Sequence, residues 1–124
     1  MTSSSQHLEK QGEVAVIHCR GRIVLGETEE LRSLALGAIE ESGKVVLQLA
    51  KVKTVDSTGL GLLVFLCESA RRRSGDVKLV APSPELQDVL ETTMLGRMFD
   101  VHPSEQSALA AFAKTVRGAA KPGA

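Results

Sequence analysis

The chemistry-bearing stretch of this chain is Asp56-Ser57-Thr58-Gly59-Leu60-Gly61. Three residues with side-chain oxygens stand together, followed by two glycines that leave the backbone bare. Such oxygens accept the N–H groups left unpartnered in a helix's first turn. One cap needs one of them. Three in a row make either an over-endowed helix start or an accessible serine that another protein must reach. A hydrolytic serine needs a base within hydrogen-bond reach. Ser57 is not in a Gly-x-Ser-x-Gly elbow, and His7, His18 and His102 fall on segments with no evident route to it. His18 is read as having no nearby histidine or acidic partner, which sets it aside as a catalytic or metal-binding group. Nor is this a phosphate-cradling loop. Gly-x-x-x-x-Gly-Lys and Gly-x-Gly-x-x-Gly are both absent, and Lys51 and Lys53 precede the site rather than follow it.

That leaves Ser57 as a substrate. A phosphoryl group there adds about −1.5 to −2 charges at neutral pH. Asp56 would repel it while the helix N-terminus attracts it, so the fold can tolerate the modification. A docked partner is different, because it would have to desolvate a new dianion. Charge at Ser57 would therefore act on binding rather than on folding.

Stepping outward, the site needs a strand before it and a helix after it. Lys44–Val52 is a β-branched, apolar run that predicts a buried strand. Leu60, Leu63, Val64 and Cys67 recur at i, i+3, i+4 and i+7 and predict the helix's inward stripe. Leu62, Phe65 and Leu66 make its first turns apolar nearly all round, which means either an exposed docking patch beside Ser57 or a helix buried on both sides. Arg71-Arg72-Arg73-Ser74-Gly75 is a conventional helix stop.

The other elements follow in order. Gln6–Lys10 pairs across a Gln11-Gly12 turn with strand Val14–Arg20, whose Ala15, Ile17 and Cys19 share a face. A connector spans Gly21–Gly26. Thr28 caps a helix with core stripe Leu31, Leu34, Ala35, Ala38 and Ile39, stopped by Gly43. Asp76–Ala81 is a strand. Ser83-Pro84-Glu85 opens a helix with Leu86, Val89, Leu90 and Thr93 inward. Met98–Val101 forms a short last strand, and Ser104 caps a final helix facing inward through Ala108, Leu109, Phe112, Ala113 and Val116. The order ββαβαβαβα argues for an α/β single domain, a mixed sheet of four to five strands packed with about four helices. Residues 1–9 form an N-terminal segment with a candidate first strand, 10–117 the domain, and 118–124 a flexible tail.

Composition narrows the function classes. The 124 residues carry no Trp or Tyr and only 2% aromatics, which argues against base stacking on nucleic acid. Net charge is zero, so the whole-protein field attracts neither nucleic acid nor an anionic membrane. No apolar run approaches the roughly 18 residues of a membrane span. Cys19 and Cys67 have no metal-site spacing and are expected as free core thiols. With no secretory signal visible, the expected location is cytoplasmic. No cofactor is implied.

Val55-Asp56-Ser57-Thr58-Gly59-Leu60-Gly61 resembles the signature Asp-Ser-(Ser/Thr)-Gly-Leu-Gly of the STAS domain family, and within it of the bacterial anti-sigma factor antagonists. Gly21-Arg22-Ile23, Val45–Leu49 and the Gly75-turn-strand-Pro84 helix fit the same plan, so the resemblance covers about residues 10–117. It implies a non-enzymatic protein that binds an anti-sigma factor with serine-kinase activity and so frees a sigma factor. The kinase would phosphorylate Ser57, with Thr58 the less favoured neighbour, and a serine phosphatase would restore binding. Asp56, Ser57, Thr58, Gly59, Leu60, Gly61 and Leu62 would form the partner-binding surface. Many phosphorylated members carry Gly-x-x-Asp in the early connector, whereas Val24 stands at that acidic position here. That departure keeps an alternative open: a constitutive STAS subunit of another assembly, such as a lipid-transport complex or a stress-signalling scaffold, without a phospho-switch.

Overall fold

The computed structural model describes residues 5–119, with side chains through Ala113. Five strands, β1 (Ser5–Gln11), β2 (Val14–Ile23), β3 (Lys44–Val55), β4 (Asp76–Val80) and β5 (Asp100–His102), form one sheet in chain order. β1 and β2 are antiparallel and the remaining pairs parallel. The helices are α1 (Glu29–Glu41), α2 (Ser57–Arg71), α3 (Pro84–Thr92) and α4 (Glu105–Ala119), with a single 3-10 turn at Leu95–Arg97.

The order of strands decides where the helices lie. Successive parallel crossovers that step the same way across a sheet place their helices on one face. α1, α2 and α3 accordingly share a core with Ala15, Ile17, Cys19, Val45, Leu47, Val77 and Leu79. α4 follows the last strand and covers the other face, where Ala108 and Phe112 pack on Val14, Val16, Val46 and Val80. β2 and β3 are thus buried on both faces, which is why their sequences read as near-continuous apolar runs.

Several expected boundaries move, each for a physical reason. Gln11 pairs with Val14, so the hairpin loop is Gly12-Glu13, with Gly12 at φ +65°. β2 continues through Ile23 because Ile23 pairs with Val55, and the connector shortens to 24–28. Thr28 stands at the α1 N-cap without a side-chain cap bond. Gly43 takes φ +78° just past α1, the conformation that stops a helix most easily with glycine. α3 is only nine residues long and buries Leu86 and Leu90, leaving Val89 and Thr93 exposed. The last strand is Asp100–His102, because Leu95–Arg97 is taken up by the 3-10 turn. On α4, Ser104 Oγ accepts from Ser107 N, Leu109 is partly buried and Ala113 is exposed; the Val116 side chain lies outside the described residues. The α4 backbone runs to Ala119, two residues into the expected tail, and 120–124 lie outside the described residues.

Both cysteines are free and buried, and burial pushes their thiols up, Cys19 to about 12 and Cys67 to about 11. They behave as small hydrophobes rather than nucleophiles.

Candidate functional site

β3 delivers the chain to Asp56, which is the N-cap of α2. Its two carboxylate oxygens have separate tasks. Oδ1 accepts from Gly59 N at 2.9 Å and caps the helix; Oδ2 accepts from Leu25 N at 3.0 Å and holds the connector. Asp56 N in turn donates to Ile23 O at 3.3 Å. These bonds favour the charged form, so the Leu25 N–H first and the Gly59 N–H second hold the carboxyl below its ordinary range. Asp56 is therefore a fastener between the connector and the first turn of α2, its oxygens committed to backbone.

Ser57 and Thr58 occupy the first two positions of α2, and both are exposed. Their N–H groups belong to the set at a helix start that has no carbonyl four residues back. A phosphoryl group on Ser57 would sit at the positive end of the helix dipole. Solvent access does not choose between the two hydroxyls.

The two glycines differ. A β-carbon on Gly59 would stand 1.9 Å from Ile23 O and 2.8 Å from Ile23 C, whereas one on Gly61 would meet nothing within 4 Å. Gly59 is thus required for packing the helix start onto β2, and it is buried. That contact also fixes the rotation of α2. Gly59, Leu62, Leu63, Leu66, Cys67 and Ala70 face the sheet, while Leu60 and Val64 are only half-buried. The inward stripe is turned from the one the spacing predicts. Leu62 and Leu66, expected beside a docking patch, are 6% and 0% exposed, so neither offers surface to a partner.

What remains outside is Ser57, Thr58 and Gly61, the half-buried Leu60, and Phe65 at 37% exposure with the Arg32 guanidinium 5.0 Å from its ring centre. One residue invisible to the motif joins them. Leu25 is 74% exposed, and its own N–H is tied to Asp56. A large apolar side chain held out in solvent beside Ser57 is the signal sequence periodicity could not supply, because Leu25 lies in a connector. Val24, at the family's acidic position, is half-buried and contributes its carbonyl to Glu27 N at 2.8 Å.

The histidines are engaged elsewhere. His18 Nε2 lies 2.9 Å from Glu9 Oε1, and its ring centre is 5.9 Å from that of His7. The reading of His18 as lacking such neighbours is corrected: β1 pairs antiparallel with β2 and sets His7 opposite His18, with Glu9 on the same side. His102 lies 2.8 Å from Asp100 Oδ2 and 2.7 Å from Ser107 Oγ. Among the described residues no group of three or more His, Cys, Asp or Glu could hold a metal ion. No helix among them is long and apolar enough to cross a membrane.

Residues 5–108 match the profile of the STAS domain, and the chain belongs to the STAS domain family. BtrV of Bordetella bronchiseptica, assigned as an anti-sigma factor antagonist, is 27% identical over 99 residues, 78% of this chain and 85% of that protein. A Thermotoga neapolitana protein with the same assignment is 32% identical over 66 residues, 53% of this chain and 58% of that protein's length. Among solved structures, an anti-sigma factor antagonist from Mycobacterium paratuberculosis superposes with a TM-score of 0.80 at 23% identity, covering 90% of this chain and 95% of the other.

Proposed function

We propose that this protein is an anti-sigma factor antagonist whose Ser57 surface binds an anti-sigma factor with serine-kinase activity, so releasing a sigma factor. Phosphorylation of Ser57 by that kinase ends binding, and a serine phosphatase restores it. The protein works in the cytoplasm and catalyses no reaction itself. The observation that carries this reading is an exposed Ser57 at a preformed helix start, beside an exposed Leu25 that the preceding carboxylate holds in place. Relatives with the same assignment support it. Leu25, Leu60 and Phe65 supply apolar contact area, and Ser57 lies where a dianion would have to be desolvated on docking.

A capture experiment from the native cell tests this, with intact mass measured before and after ATP. The expected result is an anti-sigma kinase retained by the unmodified protein, and one added phosphate that is lost in Ser57→Ala and kept in Thr58→Ala. The reverse pattern moves the switch to Thr58. Val24 in place of the family's acidic residue favours a second reading, a constitutive subunit of another assembly. Capture of a stable complex unchanged by ATP would select it.

A further inference from the structure

A second surface at the same end of the sheet bears a charge that nothing in the Ser57 chemistry explains. Along β3, Val45, Leu47 and Leu49 point into the core beneath α1 and α2. Strict alternation would carry that line on to Lys51 and Lys53. The strand avoids this with a register shift. Between His18 and Arg20, two steps on β2 answer to three on β3, Gln48 to Lys51. Gln48 Oε1 accepts from Ala50 N at 2.9 Å and braces the irregularity. Val52 then takes the core position at 6% exposure, and Lys51 and Lys53 emerge on the opposite face, both exposed. Arg20 and Arg22 emerge on that face too, since Cys19 and Ile23 point the other way.

The four cations line a groove of about 590 Å³. Arg22 is paired with Glu27 of the connector, whereas Arg20, Lys51 and Lys53 have no carboxylate partner among the described residues. The apolar packing of α4 lies toward Val14, Val46 and Val80; its first turn brings Glu105 to a neighbouring pocket that Arg20 and Lys51 also line, and Lys53 lies beyond it. Ile23 pairs with Val55, and Asp56 and Ser57 follow at once, so the groove adjoins the proposed docking surface.

We infer that this groove takes an acidic segment of the protein that docks on Ser57, so that one partner spans both surfaces. The inference rests on the proposed function for the partner's identity and on the groove for its charge. Nucleic acid is the poorer occupant. The chain as a whole is neutral, it lacks Trp and Tyr, and Phe99 and Phe112 are buried, which leaves little for bases to stack on. Exposed charges at an interface rim chiefly speed association and make it salt-dependent.

The decisive variant is Lys51→Glu combined with Lys53→Glu, both exposed and outside the Ser57 site. Stopped-flow association with the captured anti-sigma factor should be about tenfold slower than for the wild type at low salt, with a flatter salt dependence. Dissociation and the melting temperature should be little changed. A Glu decapeptide should bind the wild type and not the variant, while a Gln decapeptide binds neither. Equal association rates for variant and wild type would overturn the inference and leave the proposed function intact. A DNA duplex that displaces the Glu peptide would overturn it as well. A wild type that takes the Glu peptide but no anti-sigma factor would refute the proposed function while supporting the groove's acidic preference.

Discussion

The carbonyl oxygen of Ile23 fills the space a β-carbon on Gly59 would need, since the two atoms would stand 1.9 Å apart. Backbone on one side and a helix start on the other leave little room to yield. Gly59→Ala should destabilise the fold by about 1–3 kcal/mol, the usual range for overpacking. Gly61→Ala should stabilise it by up to about 1 kcal/mol, because alanine is the better helix former and its methyl meets nothing within 4 Å. Thermal unfolding of both variants reads the contrast. Equal behaviour would mean that the α2–β2 contact is not what fixes the helix.

Asp56 joins cap and connector through one carboxylate. Asp56→Ala should lower stability by loss of the cap and loosen the connector that presents Leu25. Its charge has a defined pH signature. The folded-state carboxyl is held below its ordinary value, so its stabilisation is complete above the unfolded pKa of about 3.9 and is lost as pH falls through the folded value. Asp56→Asn retains a capping oxygen but cannot titrate. The stability gap between wild type and Asp56→Asn should therefore narrow as pH drops below about 4. A gap that stays constant to pH 2 would remove the carboxylate's charge from the explanation.

Leu25 is exposed and outside the core, so Leu25→Asp should leave the melting temperature near that of the wild type. Partner affinity should fall at least about tenfold, since burying a leucine is worth about 1.5–3 kcal/mol. Calorimetric titration with the anti-sigma factor measures this. Unchanged affinity would place the interface elsewhere.

Beneath α4, the side chain of Lys78 is 4% exposed and pairs with Asp76 at 3.1 Å and Asp100 at 2.8 Å, its Nζ 4.6 Å from the Phe112 ring centre. Burial raises the Asp100 carboxyl, but bonds from Lys78 and His102 outweigh it and hold it low. Lys78→Met should cost about 1–3 kcal/mol, because it removes the buried cation that Asp76 and Asp100 share and leaves them only Arg71 and His102. Denaturant unfolding decides it, and a neutral or stabilising outcome would show that the ion pairs are dispensable.

Much of this was legible in the sequence, for reasons that vary by residue. The β3 and α2 cores are long periodic runs, and Ser83 caps α3 through Leu86 N as its local chemistry predicts. Periodicity could not fix the rotation of α2, because its first turns are apolar all round and the choice rests on Gly59 meeting Ile23. It also could not foresee that Lys78 is buried, since that depends on α4 returning over the second face. The emergence of Lys51 and Lys53 was hidden for a related reason: alternation counts residues, and the register shift changes the count. Ser57 is singled out by residue type and spacing, Leu25 only by its exposure.

On the proposed function, charge at Ser57 governs docking while the fold tolerates it. The most direct test titrates the anti-sigma factor into three proteins: unmodified, stoichiometrically phosphorylated, and Ser57→Ala. Melting temperatures should lie close together, because the α2 N-terminus offsets repulsion from Asp56. The unmodified and Ser57→Ala proteins should bind alike, and the phosphorylated protein at least about a hundredfold more weakly, given the penalty for an unpaired charge buried at an interface. Indistinguishable affinities for the phosphorylated and unmodified proteins would contradict the claim.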